Sequence, residues 1–203
     1  LEGRALLERR GVQFVFVPGS LPASVESFVR IADTGLAPRY LTLQEGRVVT
    51  SPRWLSTLGA RLLNGGVQLV PPGVPEEQHP SPLGFLRLVH VSPFRQPHFQ
   101  DPATRRSMPA CLVYEHVPGA TVAAHGGPED PVRVELELVY PAADHRLELV
   151  FRARCDAGGV ARLWIPYATG SDAANGDARV ERARWTIGAR SGPLVIPESA
   201  VQG

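Results

Sequence analysis

The sequence predicts an α+β chain, with a small N-terminal α/β segment over residues 1–70, a proline-rich connection at 71–82 and an antiparallel β-sandwich, Ig-like or barrel-like, over 83–203. Three observations carry this prediction. Beyond residue 83, apolar and polar residues alternate with period two in one short run after another, the pattern of half-buried strands. Before residue 70 the pattern shifts between strand-like and helix-like stretches, as in mixed α/β structure. Pro and Gly number 20 each, which favours turns and short strands over long helices.

Glu2 to Arg10 reads as the end of a helix, with Arg9 and Arg10 suiting the negative end of its dipole and Gly11 as the residue that closes it. Val12 to Val17 is almost continuously apolar, the signature of a strand buried on both faces, and Pro18-Gly19 ends it. Ser20 to Asp33 carries an apolar stripe through Val25, Phe28 and Val29, so a helix is expected and helix-strand-helix reads as half of an α/β unit. A strand through Tyr40-Leu41-Thr42-Leu43 turns at Glu45-Gly46 into Arg47-Val48-Val49. Ser51-Pro52 opens another helix, with Leu55, Leu58 and Leu62 on one face beside Trp54, and Asn64-Gly65-Gly66 stops it. Five prolines between 71 and 82 rule out regular structure there.

Leu83 to Ser92 restarts as a strand. In Cys111 to Val122, Leu112, Tyr114 and His116 face one way and Val113, Glu115 and Val117 the other; Pro118-Gly119 then turns the chain, with Gly119 at positive φ. Val132, Val134, Leu136 and Leu138 alternate with Arg133, Glu135 and Glu137, and Leu147 to Arg154 alternates in the same way. Asp156 to Gly159 turns into Val160 to Pro166, and Val180 to Ile187 and Leu194 to Ile196 supply the last strands.

Composition narrows the function. A formal net charge of +1 leaves no global field to recruit nucleic acid. No apolar run reaches the roughly 18–20 residues that span a bilayer. Residue 1 is Leu and the single methionine is Met108, so a processed chain, or a domain of a longer protein, is expected. Every basic residue other than histidine is arginine. Six histidines are scattered without metal-ligand spacing, and no G-x-S-x-G elbow is present, so no catalytic or metal-binding residue is assigned. Cys111 and Cys155 each fall in a predicted strand; they read either as a cross-sheet disulfide or as two small buried hydrophobes. Tyr114, Trp164 and Tyr167 read either as an aromatic platform for a glycan or as core and cross-strand packing.

Four stretches in order carry a family resemblance: Ala60-Arg61-Leu62-Leu63-Asn64-Gly65, Phe85-Leu86-Arg87-Leu88-Val89-His90-Val91-Ser92, Val113-Tyr114-Glu115-His116-Val117-Pro118-Gly119-Ala120-Thr121-Val122 and Trp164-Ile165-Pro166-Tyr167-Ala168-Thr169. Together they resemble the C-terminal extracytoplasmic region of the catalytic subunit of bacterial and archaeal oligosaccharyltransferases, and Gly11 to Val17 is similar to a further strand of it. The resemblance covers roughly residues 5–170. It implies a periplasmic or extracellular domain of a membrane-bound glycosyltransferase that moves a lipid-linked glycan onto asparagine of an acceptor polypeptide. It also implies that the catalytic carboxylates and a divalent metal, Mg or Mn, lie in the parent's own transmembrane domain, so the isolated chain is expected to be inactive.

The chain departs from the family in two places. Trp54, Trp164 and Trp185 stand apart, and no Trp-Trp-Asp motif for reading the acceptor is present. The family's second acceptor-reading motif would fall near the 20–33 helix, where Glu26 and Arg30 are the polar candidates for acceptor binding and no lysine exists. The alternative from a different class is a non-catalytic carbohydrate- or protein-binding β-sandwich; a self-contained hydrolase would need a triad that the sequence does not display.

Overall fold

A computed structural model describes residues 2–19, 41–44, 47–50, 53, 57–68, 70, 73–100 and 107–203. Helix α1 (Glu2–Arg9) leads into strand β1 (Phe14–Pro18). The hairpin β2 (Leu41–Gln44) and β3 (Arg47–Thr50) comes next, followed by helix α2 (Leu58–Leu63). Strands β4 (Leu86–Val91), β5 (Arg95–Gln100), β6 (Ser107–Pro109), β7 (Cys111–His116), β8 (Ala120–His125), β9 (Pro131–Tyr140), β10 (His145–Arg154), β11 (Val160–Ile165), β12 (Arg179–Ile187) and β13 (Arg190–Pro193) follow, and helix α3 (Glu198–Gln202) ends the chain.

All described pairings are antiparallel. One sheet runs β1-β7-β4 and another β10-β9-β12-β13, with two-stranded pairs β11-β8, β2-β3 and β5-β6. The sheets are open, so the α+β sandwich holds and the barrel alternative does not. A single core joins them: Leu86 and Leu88 of β4, Leu112 and Tyr114 of β7, Val134, Leu136 and Leu138 of β9, and Leu149 and Phe151 of β10 are all buried in one cluster. The alternation read in β9 is the one observed, with Val132 to Tyr140 inward at every second position. Among the described residues no helix is long and apolar enough to cross a membrane.

Local signals behave as their chemistry requires. Gly11 closes α1 at φ +60°, and the Val12 amide donates to Leu7 O across 3.0 Å, the longer bond of a Schellman end. Thr57 caps α2 by accepting from the Ala60 amide at 3.2 Å, and Asn64 ends it with its amide on Arg61 O. The hairpin predicted through Glu45-Gly46 is present as β2 and β3. The helix expected over Ser20 to Asp33 lies outside the described residues, as does the Ser51-Pro52 helix start.

The structure corrects the reading of β1. The strand pairs antiparallel with β7, and among the described residues it has no second partner strand. It is not buried on both faces: Phe14 is 58% and Phe16 66% exposed, while Val17 is buried and Val15 half-buried. An edge strand of an antiparallel sheet needs only one covered face, and a continuous apolar run cannot reveal which strand is an edge. In β4 the register shifts between Leu88 and His90, so Val91 returns to the buried side with Leu86 and Leu88, breaking strict alternation.

Candidate functional site

The most developed polar cluster is built on Arg87. Strand β4 places it directly opposite Glu115 of β7. The Arg87 side chain is only 2% exposed. Its Nε donates to Glu115 Oε2 at 2.7 Å, and its Nη1 lies 2.9 Å from Glu198 Oε1 of α3. Nη1 also donates to Asn175 Oδ1 at 3.3 Å. Asn175 is itself buried and clasps the Ala168 peptide, its Oδ1 accepting from Ala168 N at 3.1 Å and its Nδ2 donating to Ala168 O at 2.8 Å. Burial by itself would raise the Glu198 carboxyl. Hydrogen bonds from the Ala174 amide, Gln202 and Arg87, with the arginine's charge, outweigh it and hold the group below the ordinary carboxylate range.

Three tyrosine hydroxyls surround this cluster's strand. Tyr140 donates to Leu88 O at 2.8 Å, and Tyr167 accepts from Leu88 N at 2.7 Å. The two side chains thus satisfy the Leu88 amide and carbonyl, on the side of β4 that has no partner strand among the described residues. Tyr114 donates to Leu62 O at the end of α2. Burial raises Tyr114 and Tyr140 well above the usual phenol range and pushes Tyr167 up to about 12.

Burial decides the fate of the aromatic platform. Tyr114 and Tyr167 are 0% and 1% exposed, so neither presents a face on which a sugar could stack; they are core. Trp164 alone is half-exposed, on β11 opposite Thr121 of β8. The disulfide is not formed: Cys111 and Cys155 are both free, one leading β7 and the other following β10 in a different sheet. The acceptor-binding candidates Glu26 and Arg30 lie outside the described residues. His90 bonds Asp177 at 2.6 Å on the surface and His116 packs near-perpendicular to the Phe85 ring, so these two histidines do not converge. Among the described residues no group of three or more His, Cys, Asp or Glu is placed to hold a metal.

Sequence reasoning missed Arg87, Glu115, Asn175 and Glu198 as a unit. The signal was available in part, as a charged residue inside Phe85-Leu86-Arg87-Leu88-Val89 and an opposite charge inside Val113-Tyr114-Glu115. Three of the four quoted stretches meet here. They supply Arg87, Glu115 and the Ala168 peptide next to Tyr167, and α2 supplies the carbonyl that receives Tyr114. What the arrangement does chemically is fasten four segments together; neither arginine nor carboxylates are free to act on a substrate.

The overall fold recurs in solved proteins. The fold is that of a part of an archaeal oligosaccharyltransferase. The Archaeoglobus fulgidus oligosaccharyltransferase in complex with Zn and sulfate superimposes with a TM-score of 0.68 at 13% identity, over 94% of this chain and 32% of that one. The same enzyme tethered to an acceptor peptide containing the NVT sequon matches at 0.70 and 14%, over 97% of this chain and 31% of that one. The archaeal oligosaccharyltransferase AglB from A. fulgidus with an inhibitory peptide and a dolichol-phosphate matches at 0.68 and 14%, over 97% and 30%. The chain therefore spans about a third of the length of the structures it matches. No family model and no curated protein sequence matches it.

Proposed function

We infer that this chain is the extracytoplasmic β-rich part of a membrane-bound glycosyltransferase of oligosaccharyltransferase type, whose parent transfers a lipid-linked glycan to asparagine of an acceptor protein. The observation that carries the reading is the fold match over nearly the whole chain. The family-like stretches support it from another side, because the structure gathers three of them around Arg87 as mutually dependent parts. In this reading the fragment is non-catalytic alone and packs on its own transmembrane domain at the periplasmic or extracellular face. The partners of the whole protein are the acceptor polypeptide and the lipid-linked oligosaccharide, with Glu26 and Arg30 as proposed acceptor contacts.

The divalent metal, Mg or Mn, belongs in this reading to the membrane part of the parent. Among the described residues no group of three or more donors is placed to hold one, and Glu115, Glu198 and Glu76 are engaged by arginines. The test compares the full-length parent with the isolated chain, each given lipid-linked oligosaccharide, Mg or Mn and an acceptor peptide. Glycopeptide formed by the full-length protein and not by the chain is expected. A parent gene without membrane-spanning segments would overturn the reading. Saturable glycan binding by the isolated chain, with NMR shifts centred on Trp164, would do the same and favour the carbohydrate-binding module.

A further inference from the structure

A cleft of about 530 Å³ opens beside the four-stranded sheet, with Glu76, Pro80, Pro131, Arg133, Arg152 and Arg154 in its lining. Arg133 of β9 and Arg152 of β10 are direct cross-strand partners. Like charges set opposite each other destabilise a sheet unless an anion lies between them. Here the anion is Glu76, on a 3-10 turn of the proline-rich connection. One of its oxygens, Oε1, lies 2.7 Å from Arg133 Nη1 and 2.9 Å from Arg152 Nη2. The hydrogen bond from Arg152 and then the charge of Arg133 hold the Glu76 carboxyl below the ordinary range. Arg154, the next residue on that face of β10, bonds the carbonyl of Glu129 and no carboxylate among the described residues.

We propose that this cleft is an oxyanion-binding site whose ligand is a dianionic phosphate group on an organic body, and that Glu76 occupies it as an exchangeable internal stand-in. Three arginines line the cleft with one carboxylate, Glu76; Glu135, outside the lining, pairs with Arg133 at 2.6 Å and lies opposite Arg184 of β12, so positive charge is in excess. A dianion in the place of Glu76 would offset more of that excess than a carboxylate does, and guanidinium forks match phosphate geometry. Pro80 and Pro131 give the cleft apolar walls beside the guanidinium groups, where the body of a ligand could rest. The exchange does not require the connection to unfold. Ser81 straps it to the edge of β10, its Oγ donating to Arg152 O at 3.0 Å and accepting from Arg152 N at 2.7 Å. Arg61 also holds Ser81 O at 2.6 Å. The Glu76 side chain, by contrast, is 56% exposed and sits five residues upstream of that anchor. The site stands independently of the glycosyltransferase reading.

The test is an NMR titration of the intact chain with inorganic phosphate at constant ionic strength, following the amides of residues 76–79, 81 and 152–154, with acetate as the monoanionic control. Saturable shifts with phosphate and weaker ones with acetate are expected. Glu76→Gln should tighten phosphate roughly tenfold, the weight of one charge-assisted contact that no longer competes. Arg133→Gln and Arg152→Gln should each abolish saturation while the rest of the spectrum stays folded. Non-saturating shifts, equal response to acetate, no gain in Glu76→Gln, or saturation that survives both arginine substitutions would each overturn the proposal.

Discussion

Arg87 and Arg133 make nearly the same contacts in different places. Arg87 holds Glu115 at 2.7 Å and Glu198 at 2.9 Å; Arg133 holds Glu76 at 2.7 Å and Glu135 at 2.6 Å. The first arginine is 2% exposed and the second 39%. Water screens the Arg133–Glu76 pair, which is therefore exchangeable and adds little to stability, while Arg133 Nε beside Glu135 is itself buried and makes no hydrogen bond. The first has no water to fall back on, and the loss of either sign would strand the other in the interior. Distance therefore does not separate a fastening from a binding surface in this molecule; burial does.

The sharpest way to break that contrast is Arg87→Ala. It leaves two carboxylates and the Asn175 amide without their partner, and a loss of about 3–5 kcal/mol is expected, read as a fall in the urea midpoint. Next comes Gly119→Val. Gly119 sits at φ +79°, as the Pro-Gly turn predicted, and an added Cβ would run into Gly84 O. A cost of about 1–3 kcal/mol from the backbone alone is expected, with the collision added to it.

A third expectation concerns pH. Tyr167 ionises near 12 in the folded chain and near 10 when unfolded. The unfolded state therefore gives up its proton first, and stability is whole below pH 10 and falls as pH rises towards 12. Tyr167 alone should remove about 2 kcal/mol by the upper end, with Tyr114 and Tyr140 adding in the same direction. Denaturant midpoints measured across that range check it, and Tyr167→Phe should flatten the slope. The smallest effect is that of Glu76→Gln, which removes the anion between Arg133 and Arg152 and should lower the thermal midpoint only slightly, since the carboxylate is open to solvent.

The sandwich was legible because period-two alternation in β9 and β10 follows directly from one covered face, and because Gly11, Asn64-Gly65-Gly66 and Pro118-Gly119 declare their turns through backbone chemistry. What the residues did not declare was neighbourhood. Nothing in Phe14-Val15-Phe16 says that β1 lies at an edge, and the bulge after Leu88 shifts the phase that alternation relies on. Tyr114 and Tyr167 look alike as surface platform or as core until the other sheet is placed over them. The Arg87 cluster joins residues up to 111 positions apart, a separation over which no local pattern operates.

A double-mutant cycle on Arg87 and Glu198, with Arg87→Met, Glu198→Gln and the pair, tests most directly whether the buried arginine binds the C-terminal helix to the β4 and β7 strands. The account predicts a coupling energy of about 2 kcal/mol or more, while the matching cycle on Arg133 and Glu76 gives none that can be resolved. Additive effects at Arg87 and Glu198, within about 0.5 kcal/mol, would contradict it.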